Sequence, residues 1–151
     1  MFIDFKAMKK ILVPIDFSDI TTDVLDYAIH QAKEDFGSIT VLHVTAPNPI
    51  FPGPDAEPVM IQTYVDEELE HEKEELYAIT EHIKKHGIEA HSILLQGSII
   101  DSIIDEAIEM HADMIVMGKE SHGLLYRTLL GTTSEGVIRR SRVPVLIIPE
   151  K

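Results

Sequence analysis

The chain has 151 residues, is 44% hydrophobic and contains no cysteine. That is enough for one domain with its own core, and it excludes a disulfide framework, a thiol nucleophile and Cys-ligated zinc. A formal charge of −13, from 26 acidic and 13 basic residues, argues against nucleic-acid binding, which needs a positive footprint.

No run approaches the roughly 18 apolar residues of a membrane span. The N-terminal MFIDFKAMKK lacks the apolar core and cleavage site of a secretory signal. The expected location is the cytoplasm, with neither nucleic acid nor membrane as a partner.

Lys10–Ile15 (KILVPI) is a near-continuous apolar run of the kind that suits a strand buried on both faces. Asp16 follows at its carboxyl end. Ser18 is a candidate helix N-cap, and Val24, Leu25, Ala28, Ile29 and Ala32 recur at helical spacing until Gly37. Ser38–Val44 (SITVLHV) is the second strand, its β-branched content outweighing His43.

Thr45–Pro58 holds five prolines and one glycine, a density that no regular element survives. A proline-rich loop is expected over about 45–64. Val65–His86 then predicts an acidic amphipathic helix with Val65, Leu69, Leu76, Ile79 and Ile83 as its apolar stripe. His82 and His86 stand at metal-ligand spacing but lack a third ligand nearby, so solvated histidines are the simpler reading.

Glu89–Leu95 alternates as a third strand. Ser98 and Asp101 resemble a capping box opening a third helix, whose apolar face is Ile99, Ile100, Ile103, Ile104, Ala107 and Ile108. From Asp113 to Pro149 the layout is strand (Met114–Met117), glycine-bearing polar loop, helix (Glu135–Arg140) and strand (Val143–Ile148). That is the plan of a phosphate-binding βαβ unit, in which loop N–H groups and a helix start face an anion.

The alternation of strands and helices predicts an α/β fold: a doubly wound, Rossmann-like, five-stranded parallel sheet of order 3-2-1-4-5, with helices on both faces and the whole chain 1–151 as one domain. In such sheets the ligand crevice opens beyond the carboxyl ends of the strands where the order reverses. With strands one and four as those neighbours, Asp16 and Gly118 face one another across it.

The residues also carry a resemblance. Val13-Pro14-Ile15-Asp16-Phe17-Ser18, Val41-Leu42-His43-Val44, Met117-Gly118 with Leu129-Leu130-Gly131-Thr132, and Val143-Pro144-Val145-Leu146 together resemble a universal stress protein domain along the whole chain. ATP-binding members of that family share a glycine, two residues, a second glycine, nine residues, then glycine with serine or threonine. Gly118 and Gly131-Thr132 supply the ends of that pattern. Ser121 stands where the middle glycine belongs, with Gly123 two positions later. A serine costs about 1 kcal/mol or more if the position needs φ > 0, yet it also offers a hydroxyl donor.

The resemblance implies that Asp16 and Val44 lie near adenine and ribose, and that Gly118 through Gly123 wrap ribose and phosphates. Gly131, Thr132 and Thr133 would donate to the phosphates. Lys119 or Arg127 would add charge, and Mg²⁺ or Mn²⁺ would bridge the phosphate oxygens without a protein ligand. The implied site is Pro14, Asp16, Val44, Met117, Gly118, Lys119, Ser121, His122, Gly123, Gly131, Thr132 and Thr133. Residue by residue, plainer readings stay open: Gly118 and Gly131 as turn glycines, and Asp16, Thr132 and Ser134 as helix caps.

No catalytic residue is assigned. Ser121 and His122 are adjacent and would not point at one another, and neither a G-x-S-x-G elbow nor a P-loop is present. Slow ATP hydrolysis is the most that is expected. The resulting expectation is a stress-response protein that binds an adenine nucleotide as a sensor or signalling module, with an unknown signalling partner. It would form a homodimer through the apolar edge strand Val143–Ile148. The alternative is a family member without ATP that acts as a protein-interaction module.

Overall fold

The computed structural model describes residues 9–45, 58–119 and 132–150, with side chains in the second helix described from Glu67. The elements are β1 (Lys10–Pro14), α1 (Thr21–Asp35), β2 (Ser38–Thr45), α2 (Pro58–Lys84), β3 (Ala90–Gln96), α3 (Ile99–Glu109), β4 (Met114–Gly118), α4 (Thr132–Arg140) and β5 (Val145–Ile148). All pairings are parallel, in the order β3-β2-β1-β4-β5.

The continuous apolar runs are explained by the two layers they serve. Successive side chains of a strand point to opposite faces. Ile11 and Val13 of β1 join Val24, Ala28 and Ile29 of α1 and Leu76 and Ile83 of α2 in one core. Leu12, between them, joins Ile103, Ile104 and Ala107 of α3 and Val137 of α4 in the other. Ile11, Leu12 and Val13 are all fully buried, a contribution of roughly 1.5–3 kcal/mol each relative to exposure.

Several boundaries differ from expectation for local reasons. The first helix starts at Thr21, with Ile20 at its N-cap and no side-chain cap bond. Ser18 does not cap it: its N–H donates to Asp16 Oδ1 (3.0 Å) and its carbonyl accepts from Thr21 N–H (3.0 Å). Asp16 therefore closes a turn of its own before the helix begins.

At the other end, Phe36, not Gly37, takes the left-handed cap conformation, with φ 51°. Gly37 answers a different need, since a Cβ there would lie 2.8 Å from the Lys9 carbonyl oxygen. Helix α2 opens at Pro58, seven residues before Val65, because proline is favoured in the first helical turn where its missing N–H costs nothing. The expected loop is therefore helical from Pro58 onward.

Ser98 is the N-cap residue of α3 but makes no side-chain cap bond. Asp101 instead accepts hydrogen bonds from Arg140 of α4 and from Ser98, and these hold its carboxyl below the usual carboxylate range. Helix α4 sits closely on α3. Gly136 is in its middle, and a Cβ there would meet Cγ1 of Ile100 at 3.1 Å. Among the described residues no helix is long and apolar enough to cross a membrane.

Candidate functional site

The strand order reverses between β1 and β4, and a cavity of about 270 Å³ opens beyond their carboxyl ends. Its size is close to the lower end of the roughly 300–1,000 Å³ typical of small-molecule sites. The lining comes from the end of β1 (Pro14, Ile15), the turn after it (Asp16, Ser18, Asp19), the start of α1, the end of β2 (Leu42, His43, Val44), α3, Met117 to Lys119, Thr133 and Glu150. Residues distant in sequence thus meet because parallel strands deliver all their carboxyl ends to one side.

Of the residues implicated by sequence, the structure brings Pro14, Asp16, Val44, Met117, Gly118, Lys119 and Thr133 around this one cavity. Thr132 is exposed and outside the lining. Ser121, His122, Gly123, Gly131 and Arg127 lie outside the described residues, as does most of the proline-rich loop.

Gly118 has a reason of its own to be glycine. A Cβ there would sit 2.9 Å from Ile20 Cγ2 and 3.3 Å from Val24 Cγ2. Helix α1 fills the space that a side chain would need, so packing alone demands the residue. Beside it, Ser134 is fully buried and its hydroxyl donates to the Gly118 carbonyl at 3.0 Å. That bond fastens the first turn of α4 to the end of β4 and engages the hydroxyl proton. Lys119 N–H donates to the Ile148 carbonyl at 2.8 Å, which ties the same corner to β5.

Two polar residues escaped the sequence reading. His43 lines the cavity, with Nδ1 2.8 Å from the Ile15 carbonyl oxygen and Nε2 3.3 Å from Glu72 Oε1. Glu72 Oε2 accepts the Thr45 hydroxyl at 2.8 Å. The sole available signal was a histidine near the carboxyl end of a buried strand. Glu72 had none, being one acid among many on α2. His82 and His86, by contrast, pack edge to face with centroids 5.2 Å apart, and His86 Nδ1 lies 3.2 Å from Lys33 Nζ.

The charge of the lining is informative. Asp16, Asp19 and Glu150 stand against Lys119, a formal sum of −2 among the described lining residues. A bare polyphosphate would be repelled there. A nucleoside, or a phosphate chain carrying a divalent cation and directed at the start of α4, fits better, because the helix N-terminus carries partial positive charge. Among the described residues no group of three or more His, Asp or Glu is arranged to hold a metal, so such a cation would depend on the phosphates.

Comparison with known proteins bears on the family and the fold. Residues 8–149 match the model of the universal stress protein family. The chain belongs to that family. It is 33% identical to a universal stress protein of Methanocaldococcus jannaschii over 141 residues, which covers 93% of this chain and 81% of that one. It is 31% identical to a universal stress protein of Bacillus subtilis, covering 92% and 97%. Among solved structures, a universal stress protein of Archaeoglobus fulgidus in complex with dAMP is 27% identical, with a TM-score of 0.66 and coverage of 94% and 98%. As a universal stress protein, this chain has the five-stranded sheet of that fold, with the cavity at its switch point.

Proposed function

We propose that the cavity binds an adenine nucleotide, ATP by preference, and that the domain acts as a nucleotide-dependent sensor or signalling module. The observation that carries this reading is the convergence of Asp16, Val44, Gly118, Lys119 and Thr133 on one cavity at the reversal of strand order. The dAMP complex of the Archaeoglobus relative supports it. Base and ribose would occupy the end near Asp16 and Val44. Phosphates, with Mg²⁺ or Mn²⁺, would lie toward Lys119 and Thr133. Binding rather than turnover is the proposed activity, since among the described residues no acid–base pair stands beside the expected phosphates.

Titration calorimetry with MgATP tests the reading. Measurable heat and a raised Tm are expected. No heat and no thermal shift at millimolar MgATP would remove the proposal. Lys119→Ala is expected to weaken ATP about tenfold and adenosine hardly at all, because a phosphate contact is worth on the order of 1.4 kcal/mol.

The interaction-module reading is favoured by one observation: α1 accounts for glycine at 118 without any ligand. It predicts the opposite outcome in the same titration. In either case we propose a homodimer through β5, which among the described residues lies at the edge of the sheet, where a strand can offer hydrogen-bonding groups to a partner.

A further inference from the structure

His43 is placed between the Ile15 carbonyl and the Glu72 carboxylate. The Ile15 carbonyl can only accept, so Nδ1, 2.8 Å away, carries a hydrogen. A neutral ring then presents a lone pair at Nε2. That atom faces Glu72 Oε1 at 3.3 Å, while Glu72 Oε2 is already an acceptor for the Thr45 hydroxyl. Two acceptors cannot bond one another, so a bond across this gap requires a proton on Nε2 or on the carboxylate. The side chains are 11% and 14% exposed, which keeps water from replacing that bond freely.

Phe17 packs against His43 with ring centroids 4.5 Å apart and planes tilted by 50°. Phe17 itself holds φ 59°, a conformation that residues other than glycine adopt only when their neighbours enforce it. Phe17 packs both on His43 and on the core beneath α1 and α2. Glu72 comes from α2, and the Ile15 carbonyl and Phe17 ring come from the corner after β1. Among the described residues, the remaining charged groups on this cavity are Asp16 and Asp19 after β1, Lys119 after β4 and Glu150 after β5.

We propose that Glu72, His43 and the Ile15 carbonyl form a positioning relay, sharing one proton, that sets the Ile15–Phe17 corner of the cavity and ties its shape to pH. Helix α2 is the far end of the relay, so displacement of α2 and loss of the proton act on the same corner. With the proton present, Asp16 is held against the cavity. When it leaves, Nε2 and the carboxylate repel, α2 is pushed from β2, and the corner loosens. The relay deepens the nucleotide reading by giving that site a regulator, and only its second test rests on that reading.

The first test is imidazole ¹⁵N NMR of the full chain without any nucleotide, between about pH 5.5 and pH 9. His43 should show both ring nitrogens protonated at the acid end, and the Asp16 and Phe17 amide shifts should follow the same titration. In Glu72→Gln, which keeps the shape but not the charge, the corner amides should no longer follow the His43 titration. His43→Gln should leave the corner amides indifferent to pH. A neutral His43 at the acid end, corner amides that ignore its titration, or corner amides that still follow it in Glu72→Gln would each overturn the relay.

The second test uses adenosine, which has no titrating group in this range. Its affinity should fall roughly fivefold from pH 6 to pH 8.5 in the wild type and stay flat in Glu72→Gln. Equal slopes in both would refute regulation of the cavity. Absence of adenosine and ATP binding at every pH would instead refute the nucleotide reading, with the NMR deciding the relay.

Discussion

Gly118 separates two explanations of a motif glycine, and a double-mutant cycle can measure which one holds. In Gly118→Ala the new Cβ would stand 2.9 Å from Ile20 Cγ2 and 3.3 Å from Val24 Cγ2. Carbon atoms pack best at roughly 3.5–4.0 Å, so the first contact is too close by about 0.6 Å or more. Cγ2 is fixed close to the Ile20 backbone and cannot swing aside as a side-chain tip would. Helix α1 must move, at a cost of about 1–3 kcal/mol, as for other overpacked cores. For a domain of this size that lowers Tm by roughly 3–10 °C.

Ile20→Ala removes the obstructing methyl and is destabilising in its own right. In that background Gly118→Ala should cost at least about 1 kcal/mol less, a coupling that contacting residues commonly show. Thermal and urea unfolding of the four proteins without nucleotide provide the measurement. If Gly118→Ala costs the same with and without Ile20, or costs nothing, the packing argument is wrong and the glycine belongs to the ligand alone.

Other outcomes follow from the same contacts. Ser134→Ala leaves the Gly118 carbonyl without its buried donor and should cost about 1–3 kcal/mol, read as a lowered urea midpoint with an unchanged m-value. The Asp35 carboxyl is held below its ordinary range by Gln31 and Lys9, and that of Asp101 by Arg140 and Ser98. Stability from both is present above the ordinary carboxylate range and lost as pH falls through the lowered folded values, so Arg140→Met should flatten part of the acid limb of a Tm–pH curve. Glu106 is shifted upward by burial and by Glu109, so its penalty appears as pH rises through its folded value, and Glu106→Gln should raise Tm at pH 7 but not at pH 3. Light scattering at micromolar protein should give a dimer mass, and a monomer would remove the β5 edge as an interface.

Strand and layer order were legible because each strand is short, apolar and separated from the next by a helical pattern or a glycine. The period-2 split of Ile11, Leu12 and Val13 between two cores turns a featureless apolar run into a diagnostic one. The helix starts were less legible. Ser18 has the right chemistry for a cap, but Asp16 two residues earlier takes its N–H, and local propensity does not reveal which of two competing turns wins. Phe36 in a left-handed cap is likewise a tertiary result, with Gly37 reserved for the close approach of Lys9.

The site was legible in outline and not in its polar wiring. Asp16, Val44 and Gly118 mark strand ends, and strand ends can be read from hydrophobic pattern. Glu72 cannot, because α2 presents many glutamates and only tertiary register decides which one reaches β2. His43 and Ser134 are each a single polar residue whose partner lies on another element.

These two residues also divide the labour of the cavity. Ser134 fixes the start of α4 to β4 through a neutral bond between a hydroxyl and a carbonyl, which pH does not alter in the range where histidine titrates. His43 fixes the opposite wall through a shared proton. The proposed phosphate end is therefore rigid and the proposed base end adjustable. A nucleotide bound across both would lose affinity at its base end first as the proton leaves. ATP, anchored also by Lys119 and the α4 terminus, should then depend less steeply on pH through His43 than adenosine does, once the titration of its own phosphates is subtracted. An equal or steeper residual slope for ATP would show that the two ends of the cavity are not mechanically separate.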